Sequence, residues 1–522
     1  MSTFRNLLIA GFVSDIGAFM QSVGAAWLMV SLNAGPMYVA LTQTASSLPF
    51  FLLALPAGSV GDIVDRRKLI LATETWMTGI AFIMAVLAIG GFMSPWILLA
   101  LTFALSAGEA FETPTWRAIV PELVSKDDLA AASALNGIEF NLARAVGPGL
   151  AGAIIAAAGV STAFLVNFFS FFGVILVVAR WKRPKHKTSL PPETIKGATV
   201  AAVRYVRHSP GILKVVSCTG VVMFFSSAIF ALLPTVARSA SASATGYGIL
   251  LGCFGTGAIL GALILQPARS RWSTETIISA GTVVLGLVIV ATSGFHRLSA
   301  LGPLAFVGGA AWVLFISLIN ALVQNLAPDW VRARVLAIFT LVYMGSFALG
   351  SAAWGAVAQQ AGIGSALIYA GIGTIASAAF VLFVKLPTSM PDLSPWHHWR
   401  MPIIAKAGET DLEVGPMLVT VEYMVIPEQR AKFVEAIDRY ARIRRRDGAY
   451  QWGIFQDTET PGRYVETFLV DSWAEHLRQH ERQTQADREL ERRVSSCISG
   501  EPIVHHMIYA HSKATTTFPA NS

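Results

Sequence analysis

Twelve apolar runs, each about as long as a bilayer core is thick, govern what this chain can fold into. They lie near residues 7–32, 37–57, 69–92, 95–112, 129–158 and 162–181, then, past a polar gap, near 212–237, 246–266, 275–295, 299–326, 334–360 and 364–385. A helix rising about 1.5 Å per residue needs roughly 20 residues to cross a hydrocarbon core of about 30 Å. Backbone N–H and C=O groups find no water there, so such runs must pair them internally as helices. Composition agrees: 54% of residues are hydrophobic and 14% charged, where a soluble domain carries about 25% charged, and the mean hydropathy is +0.57. The expected fold is an all-α polytopic membrane protein with 12 transmembrane helices in two six-helix bundles, followed by a soluble α+β domain.

The formal net charge is +7 and the pI is 9.4. In a membrane protein this excess marks cytoplasmic loops facing anionic lipid, not nucleic-acid binding. Sidedness also tests the count of spans, because a wrong number would scramble the distribution of Lys and Arg. Loops assigned to the cytoplasm hold Arg66, Arg67, Lys68, Arg117, Lys126, Lys182, Arg183, Lys185, Lys187, Arg269, Arg271, Arg332 and Arg334, and the opposite side only Arg238 and Arg297. A multi-pass protein of the cytoplasmic (inner) membrane with both termini cytoplasmic follows. The run from Leu7 lacks a small-residue cleavage site and is expected to be the first span, not a removed leader. Cys218, Cys253 and Cys497 form no disulfide framework and read as packing residues.

The expected domains are 1–181, the first bundle; 182–211, a cytoplasmic linker with an interfacial helix over Glu193–Arg207; 212–387, the second bundle; 388–414, a linker; 415–510, the soluble domain; and 511–522, a tail.

Ionisable groups inside the bilayer carry the functional argument, since each costs about 2.5–3.5 kcal/mol at a helix centre and persists where it has a role. Asp15 lies roughly 12 Å into the first helix, near mid-membrane, with Gln21 further along it. Glu109 and Glu112 fall near the end of the fourth span, where snorkelling is the bland account and Glu109 is a candidate for transport or proton coupling, as are Gln21 and, in the fifth span, Glu139, Asn141 and Arg144, with Asn136 one turn earlier. Arg144 suits an internal carboxylate partner or an anionic substrate, and Asp15 or Glu139 the coupling proton; a static ion pair ordering the bundle is the alternative. Glu74 reads as interfacial. The second half is poorer in polar groups, with Asn320, Gln324 and Tyr343 among aromatics such as Phe224, Phe225, Phe230 and Trp312, which favours amphipathic substrates.

Between the second and third spans stands Gly58-Ser59-Val60-Gly61-Asp62-Ile63-Val64-Asp65-Arg66-Arg67-Lys68. This stretch resembles the signature loop of the major facilitator superfamily. Pro114-x-x-Arg117-Ala118-Ile119-Val120-Pro121-Glu122, Ala134-Leu135-Asn136 and Asn141-Leu142-Ala143-Arg144-Ala145-Val146-Gly147-Pro148 narrow the resemblance to the enterobactin-exporter-like, transmembrane secretion effector branch, over roughly residues 1–390. The resemblance implies a secondary exporter of drugs, siderophores or similar metabolites. It implies a conformational latch at Gly58, Gly61, Asp62, Asp65, Arg66 and Arg67, with Asp62 near a helix N-terminus of the other half and the arginines paired with Asp65, Glu112 or Glu122. It also implies a bendable helix seam at Gly147, Pro148 and Gly152, like the family's antiporter motif.

Past Pro387 the pattern changes to strand, helix, two strands, helix and strand. Strands are expected over Leu418–Ile426, Tyr450–Asp457, Tyr464–Val470 and Ile503–Tyr509, with helices over Glu428–Arg446 and over Trp473–Val494, the latter continuous or broken. This βαββαβ order predicts a ferredoxin-like domain. Residues 415–510, with Arg444-Arg445-Arg446-Asp447-Gly448 and Trp473-Ala474-Glu475-His476, resemble antibiotic-biosynthesis-monooxygenase-like domains. His476 and His480 share a helix face, but no zincin pattern surrounds them and no metal site is assigned.

The chain therefore reads as a proton-coupled exporter of amphipathic small molecules working by alternating access. It is expected to have no catalytic residues and no cofactor beyond the proton gradient. Its expected partners are a small-molecule substrate, the bilayer and, through the soluble domain, a second copy. An importer or facilitator, or a membrane-anchored sensor or enzyme acting through residues 415–510, is the alternative.

Overall fold

A computed structural model of the chain describes residues 2–125, 127–181, 195–241, 243–387, 391–394, 396 and 415–509. Among them, 12 helices are long and apolar enough to cross a membrane. The first six are α1 (Ser2–Ser31), α2 (Pro36–Ile63), α3 (Arg66–Ile89), α4 (Pro95–Leu123), α5 (Leu129–Ala158) and α6 (Val160–Arg180). After α7 (Ile195–His208) come α8 (Pro210–Ser241), α9 (Ala244–Arg269), α10 (Thr274–Thr292), α11 (Leu298–Leu326), α12 (Asp329–Ala361) and α13 (Ile363–Val384). The chain reverses between α5 and α6 at Gly159 (φ 84°) and between α12 and α13 at Gly362 (φ 88°). A side chain at either position would strain the turn.

Two boundaries differ most from the sequence reading. Gly58–Ile63, expected in a turn, continue α2, and the break comes only at Val64 and Asp65. The Asp65 carboxylate accepts the Lys68 N–H at 3.2 Å and caps α3, so Arg66, Arg67 and Lys68 form a first helical turn. The fourth span, expected to end at 112, runs through Pro114 and Pro121 to Leu123.

The chain divides into two compact units. The first comprises Met1–Pro192, Lys214–Val323 and Leu336–Thr388 and so holds both six-helix sets; the second comprises Glu193–Leu213, Gln324–Val335 and Ser389–Ser522. In the first unit α1 packs on α5 and α6, α3 on α4 and α6, and α10 on α13. The two helix sets meet where α5 packs on α9, and where Thr44 Oγ1 of α2 donates to the Ala348 carbonyl of α12 at 3.0 Å.

The second unit is built on four antiparallel strands, β1 (Met417–Met424), β2 (Tyr450–Gln456), β3 (Arg463–Val470) and β4 (Ile503–Ile508), in the order β2-β3-β1-β4. With α14 (Arg430–Asp447) between β1 and β2, and α15 (Trp473–Arg482) and α16 (Gln485–Ser495) between β3 and β4, this is the split βαββαβ order. Register sets Val419 opposite Phe468 and Val421 opposite Glu466, and alternate residues of β1 and β3 face Phe433, Ile437 and Tyr440 in the core. Of the two forms expected over Trp473–Val494 the structure has the broken one: the helix stops at Gln483, and Thr484 and Asp487 form a capping box that starts α16 afresh. Helix α7 packs against α14.

Candidate functional site

Near the middle of α1 the Asp15 carboxyl lies beside that of Glu139 on α5 and within the field of Arg144 one and a half turns further along. The Arg144 guanidinium stands 4.8 Å over the Phe140 ring and also faces Tyr343 of α12. Tyr343 in turn lies between Phe339 and Phe347, at ring centroid distances of 6.3 and 6.4 Å. An acid pair, an arginine and a phenol thus converge from both helix sets, and all four groups are partly exposed.

Behind this centre stands a second acid pair. Glu74 of α3 is 1% exposed and lies within the field of the Glu112 carboxyl of α4 and of Asp15. Glu109, three residues before Glu112 on the same face of α4, bonds Ser106 and senses Asp15. Glu74 was expected at the interface and Glu112 among snorkelling side chains; the structure turns both inward. The i, i+3 spacing of Glu109 and Glu112 was the available signal, whereas the approach of Glu74 depends on how α3 packs on α4.

Two predicted residues stand apart from the carboxyls. Gln21, 3% exposed, accepts from Asn167 Nδ2 of α6 at 3.1 Å and donates to Met84 of α3, a polar clasp inside the first helix set. Asn141 spends its amide on the Gly137 carbonyl of its own helix at 2.7 Å.

Of the expected latch, the side chains at Gly58, Gly61 and Asp62 lie outside the described residues. Arg66 donates to Glu122 at 2.8 Å and to the Ala118 carbonyl at 3.0 Å, fastening α3 to the end of α4. Arg67 donates to the Val178 and Ala179 carbonyls, which places a cation on the negative end of the α6 dipole. These contacts of Arg66 and Arg67 lie within one six-helix set.

The seam residues meet the opposite set. A Cβ at Gly152 would come within 2.9 Å of Gly248 Cα on α9, so only glycine permits this approach, and Gly147 packs over Phe19 of α1. The same end of the unit is closed by Arg238 of α8, which donates to the Val30 carbonyl and to Asn33 Oδ1, and by the stacked Trp27 and Tyr247 rings at 6.4 Å. Toward the other end, α5 is exposed at Leu135, Ile138, Phe140 and Leu142 and α9 at Ile259, Leu260, Leu263 and Ile264.

The sequence profile of the family described as transmembrane secretion effector matches residues 1–514. The chain belongs to that family of major facilitator transporters. The staphyloferrin A transporter of Staphylococcus aureus is 22% identical over 72% of this chain and 94% of its own length. The enterobactin exporter EntS of Salmonella choleraesuis is 24% identical over 73% and 92%, and the multidrug efflux pump Tap of Mycolicibacterium fortuitum 22% over 68% and 89%. Among solved structures, a bacterial homologue of the lysosomal transporter Spinster, inward-facing and occupied, superposes with a TM-score of 0.60 at 12% identity, covering 73% of this chain and 96% of that one. The nucleoside transporter NupG superposes with 0.62 at 11%, covering 73% and 100%. The protein is thus a membrane transporter of small molecules and not an enzyme.

In the transporter's second unit several buried charged groups are paired internally. Glu466, fully buried, accepts from Tyr423 Oη at 2.8 Å, Trp452 Nε1 at 2.7 Å and Arg444 Nε at 3.3 Å. Glu475 accepts from Arg482 at 2.6 Å and from Arg204 of α7 at 2.8 Å. Burial pushes the Glu475 carboxyl up, but its bonds to Arg482 and Arg204 outweigh it and hold the group below the usual range. Tyr205 of α7 lies between Trp330 at the start of α12 (5.5 Å) and Arg446 (5.4 Å), and Arg482 covers Trp330 at 4.5 Å. His476 Nε2 meets His480 Nε2 at 3.3 Å, with the His506 ring 4.8 Å from that of His476. Among the described residues no group of three His, Cys, Asp or Glu could hold a metal ion.

Proposed function

We propose that this transporter is a proton-coupled exporter of amphipathic small molecules. The observation that carries the reading is the Asp15–Glu139 carboxyl pair facing Arg144 and Tyr343, groups drawn from both helix sets. Two carboxyls side by side hold a proton between them, and the neighbouring guanidinium favours its release when it swings closer. The Gly152–Gly248 seam lets α5 roll on α9, so opening one end closes the other. Export is favoured over import because related proteins are named as exporters and efflux pumps. The basic residues between the spans support an inner-membrane setting with both termini cytoplasmic.

The soluble domain supports self-association. The face of its sheet away from α14 exposes Met424, Phe455, Ile503 and Met507 at 46%, 60%, 57% and 45%, an apolar surface suited to a second copy.

Everted vesicles carrying the full chain test the transport reading. An imposed pH gradient should drive a fluorescent amphipathic dye uphill, and Asp15→Asn and Arg144→Ala should each slow it by about tenfold or more at equal protein content. Uphill movement that ignores the gradient, or full rates in both variants, would refute proton coupling.

A further inference from the structure

Three aromatic residues from three separate stretches of the chain are each covered by an arginine of the small domain. Tyr205 of α7 lies under Arg446 of α14 at 5.4 Å, Trp330 in the first turn of α12 under Arg482 of α15 at 4.5 Å, and Trp396, in the segment after α13, under Arg488 of α16 at 3.7 Å. Arg446 and Arg482 do not need the rings for charge balance: Arg446 pairs with Asp447 and Asp487 at 2.8 Å, and Arg482 with Glu475 at 2.6 Å. Their guanidinium planes are therefore fixed as a surface for aromatic rings. The stretches that hold Tyr205 and Trp330 lead straight into membrane spans. Helix α7 is joined to α8 through Ser209 alone, α8 and α12 each run unbroken, and the border between the two units falls inside both helices, after Leu213 and after Val335. Further along, each of the two helices makes a bond to the first helix set: Arg238 of α8 donates to the Val30 carbonyl and Asn33 Oδ1, and the Ala348 carbonyl of α12 accepts from Thr44 Oγ1 at 3.0 Å. A hydrogen-bonded helix passes a change of tilt at one end to the other, so what grips its start weighs on what it touches further along. By contrast, residues 385–387 and 391–394, between α13 and Trp396, are neither helix nor strand, and Trp396 fastens the domain without gripping a span.

We propose that the Arg446–Tyr205 and Arg482–Trp330 contacts are a conformational restraint on transport. With both made, the small domain holds α8 and α12 in the arrangement in which Arg238 is bound to Val30 and Asn33, and that clasp and the two contacts are released together. The restraint rests on the exporter reading only for the existence of a second arrangement of the helix sets; it needs neither proton coupling nor a direction of flux. Coupling of this kind is reciprocal: whatever the arginine contacts add to the clasp, the clasp adds to them. Each arginine over an aromatic ring favours the joined state by about 2- to 30-fold.

Hydrogen–deuterium exchange on the purified full chain in detergent reads both ends of this coupling, because α7, which packs on α14, exchanges through states in which it has come away. Arg238→Ala alters a bond made within the first unit and should speed exchange across α7 (Ile195–His208) by about fivefold or more. It leaves the sequence of the second unit intact, so a misfolded domain cannot imitate the result. In the other direction, Tyr205→Leu with Trp330→Leu keeps the carboxylate partners of both arginines and should speed exchange at residues 27–33 by a similar factor, whereas Trp396→Leu should leave those residues as they are. Exchange of α7 that is indifferent to Arg238→Ala overturns the restraint. So does an equal response of residues 27–33 to Trp396→Leu and to the double variant, since the domain would then act only through its attachment. In everted vesicles, gradient-driven dye movement by a chain whose α7 ignores Arg238→Ala sinks the restraint and leaves the exporter standing. Reciprocal exchange without gradient-driven movement of any probe sinks the exporter and upholds the restraint.

Discussion

Replacing Gly152 by alanine isolates the seam on which the proposed motion turns. A methyl built there meets Gly248 Cα at 2.9 Å, the Ala244 carbonyl oxygen at 3.1 Å and Gly248 N at 3.3 Å. All three are backbone atoms, none of which can swing aside, so restoring ordinary contact at roughly 3.5 Å parts the helices by about 0.6 Å. Overpacking of this kind costs about 1–3 kcal/mol. The cost falls on the state in which this end is closed, and a state that opens it escapes the clash. The balance should shift toward that open state by about five- to 150-fold. Accessibility reads the shift: in a chain with Cys218, Cys253 and Cys497 replaced by alanine, Val30→Cys places a thiol at a position 4% exposed beside the Arg238 clamp. An impermeant maleimide should label it faster in the Gly152→Ala background, and no faster with Gly149→Ala, where a Cβ meets nothing within 4 Å. Equal labelling in all three folded backgrounds would refute the seam as a point of close approach that must separate.

Arg238→Ala should speed the same labelling, since it removes charge-assisted bonds worth about 1.5–3 kcal/mol to Val30 and Asn33; unchanged labelling counts against a clamp. In the second unit, Glu466→Leu strands Arg444, Tyr423 and Trp452 and should cost about 3–5 kcal/mol, read as an earlier melt of the sheet's tryptophan fluorescence. Burial, with His480 and His506 beside it, pushes His476 down to about 3, and burial with Arg444 nearby pushes His480 down to about 4. The unfolded chain takes up these protons below about pH 6.5 and the folded unit does not. Stability of this unit is therefore complete above that pH and falls as pH drops toward 4, by up to about 1.4 kcal/mol per unit per histidine. Denaturant unfolding at pH 7 and pH 5 checks it, and a flat profile excludes buried neutral histidines.

The spans were legible because hydrophobicity over about 20 residues is a local signal, and α5 matches its expected bounds of 129–158. Where charge density stood in for a turn, the reading slipped. Arg66 to Lys68 are polar, yet helix start is decided by the Asp65 cap, not by polarity. Asp15, Glu139 and Arg144 were recognisable as intramembrane charges because no other charge falls in the apolar runs 7–32 and 129–158 that hold them. Glu74 was missed because it lies near a helix end, and only the packing of α3 on α4 brings it to Glu112. The strands of the second unit were readable from alternation, but the break at Gln483 depended on a capping box at Thr484 and Asp487. The neighbours that satisfy Gln21, Met84 and Asn167, are set by helix packing and were not legible in its span.

Tyr205 and Trp330 sit far apart in the chain, one in the helix that joins the two six-helix sets and the other in the first turn of α12, yet both are held by arginines of one small domain. A displacement that draws α7 away from the start of α12 must unstack Trp330 from Arg482 and break the Arg204–Glu475 pair. By reciprocity, any ligand or partner that loosens those arginines eases the displacement by the same free energy. Through three arginine side chains, Arg204, Arg446 and Arg482, the helix that joins the two sets and the first turn of α12 are thus tied to one small sheet.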